Sequence, residues 1–209
     1  MSASRDVPRV FAAIERYGVL VEHDATLPSL SGIVAGEPVR GSWWAHPRSH
    51  DIYNVTHPMR EHPSVAVARL ISGKLTYVHR RLWPALYGIA TSREPWQLDG
   101  LARAALALLE RVTAEGALRT DDVPWTGERR KDSPGETARE LERRLLAHGE
   151  EVHTERGAHA KQLETWQRWA KRTGLRGPKM RPAAARATFE EVVGALNAEF
   201  GAKGRLPWM

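Results

Sequence analysis

The chain has 209 residues, of which 42% are hydrophobic and 27% charged, and 31 basic against 25 acidic residues leave a net charge of +6. This is enough chain for one large or two small domains with a real core, and the absence of cysteine excludes disulfides, thiolate zinc sites and thiol catalysis. No apolar run approaches the ~20 residues of a membrane span. The first residues, Met1 to Asp6, carry no apolar secretory segment. The expectation is a cytoplasmic protein with no membrane partner, and the basic excess favours a polyanion, most commonly nucleic acid.

In chain order, Val10, Ile14 and Tyr17 recur at helical spacing and Gly18 closes a first helix over residues 7–17. Leu27-Pro28-Ser29-Leu30 opens a second short helix that stops before Gly36. Pro47, Pro58 and Pro63 limit a third helix to part of 48–61. The period then changes: Val65, Val67 and Arg69 alternate, Ser72-Gly73-Lys74 supplies a turn, and Leu75 to Val78 resume, which reads as a β-hairpin over 65–79. Helices follow over about 81–89, 98–113 and, near the end, 187–199. No internal repeat and no low-complexity tract is visible.

Three short helices followed by a hairpin resemble the winged helix-turn-helix proteins over residues 7–80. The resemblance is architectural and implies that the third helix reads DNA while the hairpin forms a wing. The runs Gly41-Ser42-Trp43-Trp44 and Val78-His79-Arg80-Arg81-Leu82-Trp83-Pro84 also resemble stretches of bacterial proteins, a likeness that implies no activity. The fold class read here is mainly α with a small antiparallel β-hairpin (α+β). It comprises a winged-helix-like domain over 1–117, a polar linker over 118–135 and a helical domain over 136–209.

The second half carries the sharpest pattern. Leu141, Leu145, His148, Val152, Glu155, His159, Leu163, Trp166 and Ala170 step by threes and fours, which draws one seam along a helix. Ser133-Pro134-Gly135-Glu136 reads as its capping box. The middle of the seam is His148, Glu155 and His159, with Glu151 beside them. Imidazole and carboxylate together suit acid–base work or a metal such as zinc, manganese or iron. Gly149 and Gly157 weaken a helix there, so a break that leaves these residues solvated stands beside the site reading. The metal is unknown on this evidence, as is any cofactor, since no phosphate-binding loop, nucleophile elbow or dinucleotide fingerprint occurs.

From Lys171 to Arg186 the chain carries six cations and no acid: Lys171, Arg172, Arg176, Lys179, Arg181 and Arg186. Gly174, Gly177, Pro178 and Pro182 make this a basic loop or arm able to track phosphates. Five of the nine histidines fall within 43–79, among Trp43, Trp44 and Tyr53, where aromatic rings suit stacking on bases. The expected partner is nucleic acid, DNA before RNA. Trp43 and Trp44 are the stacking candidates, Arg48 and Arg60 lie on the third helix, Lys74 at the wing tip, and Arg80 and Arg81 at its foot. Two alternatives stand. One is an enzyme acting on nucleic acid, such as a repair glycosylase, lyase or hydrolase, using His148, Glu151, Glu155 and His159. The other is an oligomerisation module along the long helix.

Overall fold

The computed structural model describes residues 3–125, 130–153, 159–177 and 180–209. The chain divides into two units, one made of residues 1–85 with 183–209 and the other of residues 86–182. Neither boundary falls in 118–135: residues 117–119 form a strand and 120–122 a helical turn of the second unit, so the described start of the expected linker is folded, while 126–129 lie outside the described residues. No described helix is long and apolar enough to cross a membrane.

The first unit runs α1 (Ala3–Tyr17), β1 (Val19–Val21), α2 (Leu30–Ala35), α3 (Ser49–Arg60), β2 (Val65–Arg69) and β3 (Leu75–His79). Ser29 caps α2 by accepting from the Gly32 amide, and Gly36 closes it at φ 84°, a left-handed conformation that glycine adopts at little cost. The strands form an antiparallel sheet in the order β1-β3-β2, with Val19 opposite Val78 and Val67 opposite Tyr77. Val10 and Ile14 of α1, Leu30 and Val34 of α2, and Ile52, Val55 and Met59 of α3 pack with Leu20 and Tyr77 into one core. The three helices and the hairpin therefore lie where periodicity put them, except that α1 begins four residues earlier; β1, only three residues long, escaped it.

The last helix, α9 (Pro182–Phe200), starts five residues earlier than its apolar spacing suggested. The tail beyond it folds back onto the first unit. The Asn197 side chain bonds both the amide and the carbonyl of Gly204, at 2.7 and 2.9 Å. Ser72, in the β2–β3 turn, donates its amide to the Arg205 carbonyl at 2.7 Å and accepts the Arg205 amide on its hydroxyl.

The second unit contains α4 (Trp83–Ala90) from Leu86 onward, α5 (Pro95–Leu98), α6 (Arg103–Glu115), β4 (Ala117–Arg119), α7 (Pro134–Arg143), β5 (His148–His153), β6 (His159–Glu164) and α8 (Trp166–Arg172). The long helical seam is thus absent. Ser133 does cap α7 by accepting from Glu136, but α7 ends after Arg143 in a Schellman turn. Leu145 takes φ 52°, its amide reaches the Glu142 carbonyl, and Leu146 reaches back to Leu141. The chain then enters a hairpin in which His148 lies opposite Glu164 and His153 opposite His159. The sheet order is β4-β6-β5. Leu163, Leu118, Leu141, Leu146, Ala138, Leu108 and Val112 form the core between sheet and helices.

Both units share one plan: a helix leads into a short strand, helix or helical turns follow, and an antiparallel hairpin places the last strand in the middle of the sheet. The sequence shows no repeat, but the topology recurs. The expected basic arm also shrinks. Lys171 and Arg172 belong to α8 and Arg186 to α9, which leaves 173–181 as the connection, with Lys179 outside the described residues.

Gly149 is required by contact rather than by backbone angle. A Cβ there would overlap the Glu142 carboxylate, which is buried and held bidentately by Lys161 Nζ at 2.7 Å to each oxygen. Gly149→Ala should therefore destabilise the protein by about 1–3 kcal/mol through overpacking. Urea denaturation checks this; an unchanged midpoint would mean that the Glu142–Lys161 pair yields without cost.

Candidate functional site

Two places in the molecule hold chemistry the core does not need. The first is the outer face of α3. Its inward residues are Ile52, Val55 and Met59, so the helix turns His50, Tyr53, Asn54 and His57 outward, spaced i, i+3, i+4 and i+7. Tyr53 is 46% exposed and Trp44, in the helical turn Trp43–Ala45, is 62% exposed. Trp44 stacks on the buried Trp43 ring at 4.0 Å and 23°, and its centroid lies 5.8 Å from Tyr53. Asn54 Nδ2 and His50 Nδ1 are 3.0 Å apart. The surface is aromatic and rich in hydrogen-bonding groups, where a solvated helix face is ordinarily Lys and Glu.

Several of the basic residues assigned to binding from sequence turn out to be engaged within the fold. Arg48 pairs with Asp51 at 2.9 Å and with the buried Asp6 at 3.0 Å, and donates to the Val34 carbonyl. Arg60 pairs with Glu22 at 2.9 Å, where Tyr77 Oη also donates at 3.0 Å. Burial opposes the Arg60 charge, but Glu22 outweighs it and the guanidinium is raised above its ordinary value. Burial, then Glu22, pushes the Tyr77 phenol well up. Lys74 bonds Asp24 at 2.6 Å. Arg81 donates to the Glu15 and Arg16 carbonyls at the end of α1, completing that helix's C-terminus. Arg80 is exposed, as are Lys171, Arg176 and Arg181, and none of these four has an ion pair among the described residues.

The second place is the β5–β6 hairpin with α8. His148 is only 3% exposed. Its cross-strand partner Glu164 and its same-face neighbour Glu150 bring carboxylate oxygens to 3.3 and 4.0 Å from Nδ1. Arg172 Nη2 bridges the same two carboxylates, at 2.8 Å to Glu150 and 2.5 Å to Glu164. The His148 ring sits against Trp166 and Trp169, at 5.3 and 5.9 Å. Burial by itself would raise the Glu164 carboxyl; the His148 imidazole and the Arg172 guanidinium overcome it and hold the group at about 2.

This is not the site expected from the seam. His148 and His159 stand at opposite ends of the ladder, five strand residues apart, or about 16 Å at ~3.3 Å per residue. Glu151 is exposed on the other face, opposite Lys161. Glu155 and the His159 side chain lie outside what the structure describes. Glu150 and Glu164, which do meet His148, were missed as site residues, because a helical period pairs Glu164 with Arg168 rather than with the residue across a strand; Arg172, which bridges them, was assigned to the basic arm instead. The outward stripe 50-53-54-57 was legible from its spacing.

Comparison of the chain with protein-family models, with curated proteins and with solved structures gave no match.

Two consequences can be measured. Arg60→Ala leaves the partly buried Glu22 carboxylate without its cation, so it should cost about 1–3 kcal/mol of stability, seen as a lower denaturation midpoint. Asp24 shows the acid limb of stability. Burial raises its carboxyl, but the Lys74 ammonium and the Thr26 and Leu27 amides prevail and lower it. A carboxyl depressed in the folded state stabilises fully above its ordinary range, and that stabilisation is lost as pH falls through the folded value. Asp24→Asn should flatten the fall in stability below about pH 4, and an unaltered acid limb in thermal scans would exclude the effect.

Proposed function

We propose that the protein binds nucleic acid, duplex DNA before RNA, through the outer face of α3. The observation that carries this reading is the outward stripe of exposed His50, Tyr53 and His57 and half-buried Asn54, with Trp44 beside it. Amide and imidazole groups suit base edges in the major groove, and exposed rings suit stacking or contact with thymine methyls. The element order of the first unit, with its sheet ordered β1-β3-β2, supports the likeness to winged helix-turn-helix proteins, whose third helix enters the major groove. The same strand order in the second unit extends that likeness.

The basic excess supports the reading less directly than composition suggests. Arg48, Arg60, Lys74 and Arg81 hold the fold together, so phosphate contacts fall to exposed cations such as Arg40 and Arg80. The enzyme alternative loses its assembled trio, and the oligomerisation alternative loses the continuous helix it needs.

Fluorescence anisotropy with short duplexes at low salt tests the proposal. Tyr53→Ala and a His50→Ala/Asn54→Ala double variant should weaken binding while the protein stays folded. Arg80→Ala should lower the magnitude of the log–log salt slope by about 1. Absence of binding to duplex, single-stranded DNA and RNA alike at low salt would sink the reading.

A further inference from the structure

Glu164 and His148 face each other across β5 and β6, and their closest atoms are Oε1 and Nδ1 at 3.3 Å. His148 Nδ1 is fully buried and has no hydrogen-bond partner among the described residues. A buried nitrogen lone pair this close to a carboxylate oxygen is repulsive unless a positive charge lies between them. A proton meets this need, and so does a metal ion: 3.3 Å is also about the edge of a tetrahedron whose centre is ~2.0–2.1 Å from nitrogen and oxygen ligands. Glu150 Oε1 completes the group, and the three ligand atoms lie within 4.8 Å of one another.

We propose that His148 Nδ1, Glu150 Oε1 and Glu164 Oε1 form a site for one divalent transition-metal ion of the zinc class, and that Arg172 is the cation that competes for it. The ligand set is one imidazole and two carboxylates, borderline donors that suit zinc, cobalt or manganese over calcium or magnesium. Strand geometry fixes all three residues on one face, so the site is built before the ion arrives and little ordering opposes binding. Trp166 and Trp169 wall the imidazole and keep water from it. Arg172 Nη2 touches both carboxylate oxygens, which is the position a metal would take.

Arg172 is suited to that competition. It is the last residue of α8 and its side chain is 50% exposed, so the guanidinium can withdraw into solvent without becoming a buried unpaired charge. A metal-bound imidazole is neutral, so in the metal-bound site the two carboxylates carry two negative charges. Arg172 balances one of them and a divalent ion balances both. Arg168 Nε, 4.0 Å from the other Glu164 oxygen, remains to hold that carboxylate in place. Three protein ligands leave a coordination position for water. This proposal stands apart from nucleic-acid binding and either can fail alone.

Titration of the full-length protein with Co(II), followed by its visible absorption, tests the site, with Zn(II) displacement as a second reading. One equivalent should bind with the bands of a four- or five-coordinate ion, and Zn(II) should abolish them. Arg172→Gln should tighten binding measurably, because no side-chain cation then has to leave the two carboxylates. Glu164→Gln should abolish it. Glu150→Gln, at an exposed position that leaves the core intact, should weaken it about tenfold or more. Circular dichroism confirms that each variant is folded. Failure of both the wild type and Arg172→Gln to bind Co(II) or Zn(II) overturns the proposal. So does binding that Glu150→Gln and Glu164→Gln leave unchanged, since the ion would then sit elsewhere, as on the histidines of 46–62.

Discussion

In each unit the last turn of the helix before the hairpin is tied to the sheet by an ion pair largely cut off from water. Arg60, the final residue of α3, reaches Glu22 just beyond β1, where Tyr77 of the central strand β3 also bonds. Glu142, the penultimate residue of α7, is held by Lys161 of the central strand β6. Pairs of this kind contribute little net stability, because desolvation offsets their attraction, yet breaking one is costly. Their effect is to fix the helix against the sheet in one register. In the first unit this sets which face of α3 looks outward, and so which of its residues are open to solvent. In the second, the pair requires Gly149 in β5 and thereby settles how the hairpin that carries His148 lies against α7.

The legibility of the two halves differs for a physical reason. In the first unit apolar periodicity, Ser29 and Gly36 as caps, and the Ser72-Gly73 turn all agree with the fold, so α1 to α3 and the hairpin could be read from sequence. In the second, β5 reads His-Gly-Glu-Glu-Val-His. Gly and Glu are poor strand formers, and the strand exists because its neighbours supply pairing and burial. The signal that ends α7 was hidden as well. Its left-handed position is filled by Leu145, fully buried, where glycine would have announced a stop. Steps of three and four then continued by coincidence across a turn and two strands. Of the seam's ionisable residues, His148 alone is seen to take part in a buried polar group, and it does so with Glu164 and Glu150, which only a strand register reveals.

Charge is a coarser signal of the same kind. Net charge counts every cation, but a cation engaged with a buried carboxylate or a helix end offers nothing to a polyanion. Arg48, Arg60, Lys74, Arg81, Arg144 and Lys161 are all so engaged. Arg144, for example, donates to the Trp96, Gln97 and Asp99 carbonyls while the Gln97 side-chain amide donates to the Arg144 carbonyl, which fastens α5 to the end of α7. Arginine suits this work because its fork reaches several carbonyls at once and stays charged when desolvated.

If α3 meets DNA, the balance between electrostatics and readout follows from that commitment. Few free cations accompany its outer face, so counterion release can supply only a modest part of the affinity, at about one unit of salt slope for each phosphate contact. The remainder has to come from contacts made by His50, Tyr53, Asn54 and Trp44, and these reward particular bases rather than any duplex. Such a surface gains discrimination at the expense of general attraction. Its binding would depend on sequence more than on salt, the opposite of what a pI near 10 suggests when read alone.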